Sequence, residues 1–400
     1  MKILQLTHKP PVPCIDGGCL AMYQITSCLI EADAEVKVVS IATSKHPVIF
    51  SDENNKYFDI TQFEAVQIDT NLKIIKTFSS FVKKTSLQAD RFFSIKMVKK
   101  LENIFAKEKY DIVILESVFV GNYIETIRKH SEARIVLREH NIEYLIWERL
   151  SRQTINPIKK LAYRYLAKSL KNFELSLYSK IDGYMPITEV DHLFFKEKFP
   201  SLRSKVIPFC INLSEYPIQS HQIDENKITF FHIGSMNWQP NIEGMKWFLD
   251  KVWNIVSEKY PNVSLVLAGK GNKDIFGNCN IKNVQIFDFI ENAKHFINEH
   301  DIMVVPLLAG SGMRIKIMEG LALGKPIITT TIGAEGINIM DNKNIFIANT
   351  PEEMVNIIEY CTNQVRKCEE VGRNARSLIE SYYAQEKISK DLMEFLKTQI

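Results

Sequence analysis

The sequence predicts an α/β protein built from two doubly wound parallel-sheet domains. Three observations lead there. The chain has 400 residues, too many for one compact domain when domains run to roughly 150. Short apolar runs alternate with amphipathic helical stretches, the pattern of buried parallel strands covered by helices. That pattern restarts near residue 225, after a stretch from Pro208 to Ile223 punctuated by Pro208, Pro217 and polar residues. A composition of 46% hydrophobic and 24% charged residues excludes disordered, collagen-like and coiled-coil classes.

Taken in order, residues 2–6 read as a buried strand, and a loop with Pro10, Pro11, Pro13, Gly17 and Gly18 follows. A helix at 19–32 and strands at 36–40, 111–115 and 134–137 complete the first pattern. Residues 70–109 and 155–180 read as basic helices. The second pattern has strands at 227–233, 263–268, 284–287, 302–306 and 326–330, with helices at 241–259 and 313–323. The boundaries drawn are 1–212, 213–385 and a C-terminal amphipathic helix, 386–400, expected to pack back on the first domain.

The 50 basic and 47 acidic residues leave a net charge of +3, too balanced to indicate nucleic acid. The cysteines, at Cys14, Cys19, Cys28, Cys210, Cys279, Cys361 and Cys368, are odd in number and scattered. They suit a reducing, cytoplasmic compartment rather than a disulfide framework or zinc site. Met1–Thr7 lacks the long apolar region of a signal peptide. No stretch approaches the ~20 apolar residues of a membrane span. The basic helices read as solvated faces; the alternative is contact with an anionic acceptor or with lipid headgroups, placing the protein peripherally at the inner face of the cell membrane.

The segment from Pro306 to Pro326 carries the most chemistry. It reads strand, glycine turn, helix, helix stop, strand. Gly310 and Gly312 allow tight turns and close approach to a ligand, and Ser311 is the expected N-cap. The helix start then faces an anion. Arg314 and Lys316 in the first turns add fixed positive charge, the guanidinium gripping two oxygens at once. Together these suit a pyrophosphate. Ile315, Met318 and Ala322 form the expected buried face, with Glu319 beside it able to hold a ribose diol. The plain alternative is an ordinary strand-to-helix turn with surface charges.

Two further glycine turns occupy matching places, Gly17–Gly18 after the first strand of the first half and Gly234–Ser235 after the first strand of the second. Neither is a Walker loop or a dinucleotide fingerprint. Arg138, Glu139, His140, Asn141 and Glu143 crowd the end of the 134–137 strand, where an idle buried polar cluster would be costly. His140 is a candidate for hydrogen bonding near a reacting sugar; His8 and Glu116, at the ends of other strands, are weaker candidates.

At these residues the chain resembles the family 4 retaining glycosyltransferases, which have the GT-B fold of two Rossmann-like domains facing across a cleft. The resemblance is strongest over Gly310–Pro326 and continues through Gly333-Ala-Glu-Gly336, Arg138–Glu143, Ile187–Asp191 and Ile207-Pro208-Phe209. It implies transfer of a sugar from a nucleotide-diphosphate donor, of UDP or GDP type, to an acceptor hydroxyl, with retention, and with neither metal nor cofactor. The family carries two glutamates eight positions apart. Glu319 matches the second, which binds the donor ribose, and Ser311 stands where the first would be. The family's Arg and Lys after the first strand of the second domain are absent from Gly234–Gln239, so Arg314 and Lys316 are expected to neutralise the diphosphate. The resemblance further implies that Gly17, Gly18, Gly234, Ser235, Gly310, Ser311, Gly312 and Met313 line the donor, that His140 contacts donor hydroxyls, and that the acceptor is a glycan or lipid-linked glycan in polysaccharide or glycolipid biosynthesis. The competing readings are a nucleotide-sugar epimerase and a noncatalytic carbohydrate- or partner-binding protein.

Overall fold

The computed structural model describes residues 1–70, 86–154, 156–218, 222–277, 281–310 and 312–400. The chain divides into two compact units, Met1–Cys210 with Ile388–Ile400, and Ile211–Lys387. Each holds a parallel sheet with flanking helices, so the α/β architecture is the one expected.

The first unit contains, among the described residues, a seven-stranded sheet in the order β3-β2-β1-β4-β5-β6-β7. Its strands are β1 (Lys2–Thr7), β2 (Glu35–Ala42), β3 (Glu64–Gln67), β4 (Ile112–Glu116), β5 (Arg134–Glu139), β6 (Gly183–Pro186) and β7 (Arg203–Ser204). Continuous apolar runs make these strands because helices cover both faces: every residue of β4 is buried. One core layer gathers Leu4, Leu6, Val113, Leu115, Tyr123 and Leu137. The other gathers Ile3, Ile25, Leu29, Ile114 and Val136. The Gln385–Lys397 helix contributes Ile388, Leu392, Phe395 and Leu396 to this second layer.

The second unit contains a six-stranded sheet, β10-β9-β8-β11-β12-β13. Its strands are β8 (Ile228–Ile233), β9 (Val263–Ala268), β10 (Val284–Phe287), β11 (Ile302–Val305), β12 (Ile327–Thr329) and β13 (Phe346–Ile347). Its core centres on Phe230, Phe248, Trp253, Leu265 and Val304. In both units the strand order reverses beside the first strand, between β1 and β4 and between β8 and β11. Open parallel sheets bind ligands at the carboxyl ends of the strands at that reversal.

Several elements differ from the sequence reading. The 70–109 helix is not one element: beyond residues 71–85, which lie outside the description, the chain forms Leu87–Asp90 and Ile95–Lys107. The second starts at Ser94, whose hydroxyl accepts from the Lys96 amide. The 241–259 helix begins earlier, at Gln239, with Pro240 in its first turn, and a π turn at Leu249–Trp253 interrupts it. Short strands β3, β6, β7 and β13 carried too little periodicity to be read. No helix among the described residues is long and apolar enough to cross a membrane.

Candidate functional site

In the second unit, the predicted residues gather at the carboxyl ends of β8 and β11. The helix after β11 spans Ile315–Ala322, and its N-cap is Arg314, with no side-chain cap bond. This corrects the expectation for Ser311, which lies outside the described residues: the helix starts too late for residue 311 to cap it. The expected buried face holds at Met318 and Ala322 but not at Ile315. Ile317, Met318, Leu321 and Ala322 are buried, while Ile315, the first residue of the helix, remains partly exposed.

The glycines at these turns make room for the cations. Gly310 has φ 136°, and a Cβ there would stand 2.7 Å from Arg314 Nη2. Arg314 is buried, donates to the Gly312 carbonyl and lies over the Trp238 ring, 5.8 Å from its centroid. A Cβ on Gly234 would stand 2.5 Å from Lys316 Nζ. Met313, beside the cations in the same loop, is partly exposed, as is Ser235.

Lys316 reaches from its helix to Asn241, donating to Oδ1 at 2.9 Å. Asn241 in turn donates from Nδ2 to the Ser235 carbonyl at 2.8 Å. Asn241 therefore ties Lys316 to the Gly234–Ser235 turn. Burial, then the neighbouring Arg314, lowers the Lys316 ammonium from 10.5 to about 7. Arg314 and Lys316, set side by side at the end of a parallel strand, form a site suited to an anion. His232 on β8 is fully buried and keeps its place through Nδ1, 2.8 Å from the Val304 carbonyl. Burial and the Lys316 charge hold it neutral, its pKa well below the ordinary histidine range.

Glu319 is nearly enclosed, one turn further along the helix. The Tyr216 hydroxyl donates to Glu319 Oε1 at 2.9 Å, which orients the carboxylate and leaves Oε2 for another donor. Burial raises the carboxyl's pKa in spite of that bond. Tyr216 is itself held by Arg376, which donates to its carbonyl at 2.8 Å, and by Lys294 over its ring at 4.2 Å.

Asn241, His232 and Tyr216 were not singled out in the sequence. Asn241 has a local signal, following Pro240 in the first turn after a glycine loop; Tyr216 has none, since its partner is 103 residues away. A further glycine turn, Gly269–Gly271 after β9, was also passed over. A Cβ on Gly269 would stand 2.4 Å from the Gly234 carbonyl oxygen, so the two turns touch backbone to backbone.

In the first unit, His140 joins a buried polar network at the strand reversal. Its Nε2 is 2.9 Å from Glu116 Oε2 and 2.8 Å from Arg138 Nη1. Glu116 also pairs with Arg138 at 3.1 Å and accepts from Gln5 Nε2 at 2.9 Å. Burial pushes the Glu116 carboxyl up, but Arg138 and His140 outweigh it and hold the carboxyl below its ordinary value. Burial lowers His140 more than Glu116 raises it. With Nε2 turned into the network, Nδ1 is the ring nitrogen left for an outside partner. His8 is tied to the Glu116 carbonyl at 3.0 Å.

Gly17 and Gly18 form the first turn of the Gly17–Glu31 helix, which is capped by Asp16, its carboxylate accepting from the Cys19 amide at 2.9 Å. Lys9 Nζ pairs with Asp16 at 2.7 Å, in the space a Cβ on Gly18 would take. Among the described residues, no group of three His, Cys, Asp or Glu side chains converges as a metal site.

Comparison with known proteins bears on the whole chain. Residues 227–364 match the family described as Glycosyl transferases group 1. A 44.6 kDa protein of the cps region of Klebsiella pneumoniae is 24% identical over 98% of this chain and 99% of its own length. An uncharacterized glycosyltransferase of Haemophilus influenzae is 24% identical over 74% of this chain and 78% of its own. Among solved structures, Anabaena Alr3699/HepE in complex with UDP superposes with a TM-score of 0.68 at 15% identity, covering 100% of both chains. Sucrose-phosphate synthase from Thermosynechococcus elongatus does so with 0.70 at 12% identity, covering 100% of this chain and 99% of its own. The second unit thus carries the match to glycosyl transferases group 1, over 227–364, and the paired parallel sheets give the chain the GT-B fold of these solved structures.

Proposed function

We propose that the chain transfers a sugar from a nucleotide-diphosphate donor, of UDP or GDP type, to a hydroxyl of a glycan or lipid-linked acceptor, with retention, in the making of a cell-surface polysaccharide or glycolipid. The observation that carries this reading is the pair of buried Arg314 and half-buried Lys316, set together beside the Gly234 and Gly310 turns at a strand reversal. A diphosphate is the anion that an arginine and a lysine placed side by side suit, and the departing nucleotide diphosphate needs the positive field. Glu319, oriented by Tyr216, is assigned the donor ribose through Oε2. The backbone at Gly310, Gly312 and Met313, with Gly234 and Ser235, is assigned close contact with the donor; Gly17 and Gly18, in the first turn of a first-unit helix, are proposed as further donor-binding residues. His140 is the proposed hydrogen-bonding group for a donor hydroxyl, through Nδ1. The cps-region relative and the UDP complex of Alr3699/HepE support the polysaccharide setting and the donor class.

A thermal-shift panel of UDP, GDP and ADP sugars tests the proposal. A true donor at a hundred times its Kd adds about 2.7 kcal/mol. The anomeric configuration of the product, read by NMR, then tests retention. Stabilisation by no nucleotide sugar would sink the reading.

A further inference from the structure

The Pro157–Leu177 helix of the first unit turns apolar side chains outward. Its buried residues, Ala167, Leu170, Glu174 and Leu177, lie along one side. On the opposite side, where a surface helix ordinarily carries polar groups, stand Ile158, Leu161 and Tyr165, which are 79%, 70% and 40% exposed. Their spacing of i, i+3 and i+7 makes one stripe. Lys160, Arg164 and Lys168, at i, i+4 and i+8, run along one edge of the stripe, and Lys159 stands at the other. The helix's single carboxylate, Glu174, is buried at its far end. The Glu143–Gln153 helix packs alongside, with Trp147 and Tyr163 ring centroids 5.8 Å apart, so the stripe rests on a braced hairpin.

We propose that this face docks on an anionic lipid surface, with Ile158, Leu161 and Tyr165 entering the acyl boundary and the basic row meeting lipid phosphates. Charge complementarity sets the partner's sign, and the stripe sets its kind. A polyanionic glycan would pair with the bases but leave the aliphatic side chains in water. A second copy packed stripe to stripe would bring two basic rows together, with no exposed carboxylate on the helix to offset them. The helix cannot cross a bilayer, so the contact is peripheral. The inference does not depend on the glycosyl-transfer reading.

The test is co-sedimentation of the full chain with phosphatidylcholine vesicles with and without phosphatidylglycerol. Binding should require phosphatidylglycerol and weaken with salt. Reversing Lys160, Arg164 and Lys168 to Glu should weaken it on the order of 100-fold, at roughly five-fold or more per base. Ile158→Ser with Leu161→Ser should weaken it at least tenfold. Unchanged melting temperatures would show that the variants fold, and the wild-type salt dependence stands without them. Failure to bind, equal binding to neutral vesicles, or variants that bind like wild type would overturn the proposal. So would a stripe-dependent dimer, or binding to a sulfated glycan, in the absence of vesicle binding.

Discussion

Replacing Lys316 by methionine tests the charge logic of the donor site. In the free chain its ammonium is depressed from 10.5 to about 7 by burial and then by Arg314. That drop corresponds to about 5 kcal/mol between the two protonation states. Partial exposure of the side chain to solvent reduces it to roughly 2 kcal/mol. Because the folded pKa lies below the unfolded one, the unfolded chain holds the extra proton between about pH 7 and pH 10.5. The charge therefore penalises the fold in full below about pH 7, and the penalty fades as pH rises through that window. Lys316→Met removes the penalty but also loses the bond to Asn241, about 1 kcal/mol at any pH. The variant should gain ~2 kcal/mol relative to wild type on going from about pH 10 to about pH 6. A bound diphosphate should hold Lys316 charged, so donor binding at about pH 8 should take up close to one proton. Titration calorimetry in buffers of different ionisation enthalpy reads that uptake. In Lys316→Met the uptake should vanish and affinity fall roughly 10- to 100-fold. Wild type binding donor with no proton uptake, or a variant of undiminished affinity, would refute the reasoning.

Three further outcomes follow from the geometry. Tyr216→Phe removes the hydroxyl that orients Glu319 and should weaken UDP binding about five- to tenfold, with a much smaller effect on 2′,3′-dideoxy-UDP; equal losses for both ligands would exclude the ribose assignment. Glu116→Gln leaves Arg138, with no exposed surface, facing no counter-charge, and should cost about 3 kcal/mol in urea unfolding; a loss under 1 kcal/mol would show that Gln5 and His140 suffice. Gly269→Ala drives a methyl to 2.4 Å from the Gly234 oxygen at φ 123° and should cost roughly 3 kcal/mol or more, together with weaker donor binding by calorimetry; unchanged binding would show that the Gly234 turn tolerates the shift.

Legibility differed with the range of the interaction. The Gly310–Lys316 loop could be read because its parts are neighbours in sequence: glycine, cation and helix start follow one another. Its cap could not, since residue preference favours a serine or glycine there and the helix nonetheless begins after Arg314, with no side-chain cap bond. The Arg138–His140 crowding was visible after its strand, yet its meaning depends on Glu116, 22 residues away on the next strand, and Gln5, 111 residues from Glu116.

By itself the sequence determined the α/β class, the two repeats of alternating strand and helix, and the glycine-cation loop, because periodicity and turn chemistry are local. The tertiary structure alone decided which residues serve those motifs. Asn241 ties Lys316 to the Gly234 turn, Tyr216 aims Glu319, Gly269 seats Gly234, and residues 388–400 complete the first core. Each of these depends on the strand order of a parallel sheet, which brings together turns far apart in the chain and leaves no periodic trace in it. The near-neutral net charge is the plainest case: the whole-chain sum is +3, while folding sets Arg314 and Lys316 side by side at one strand end.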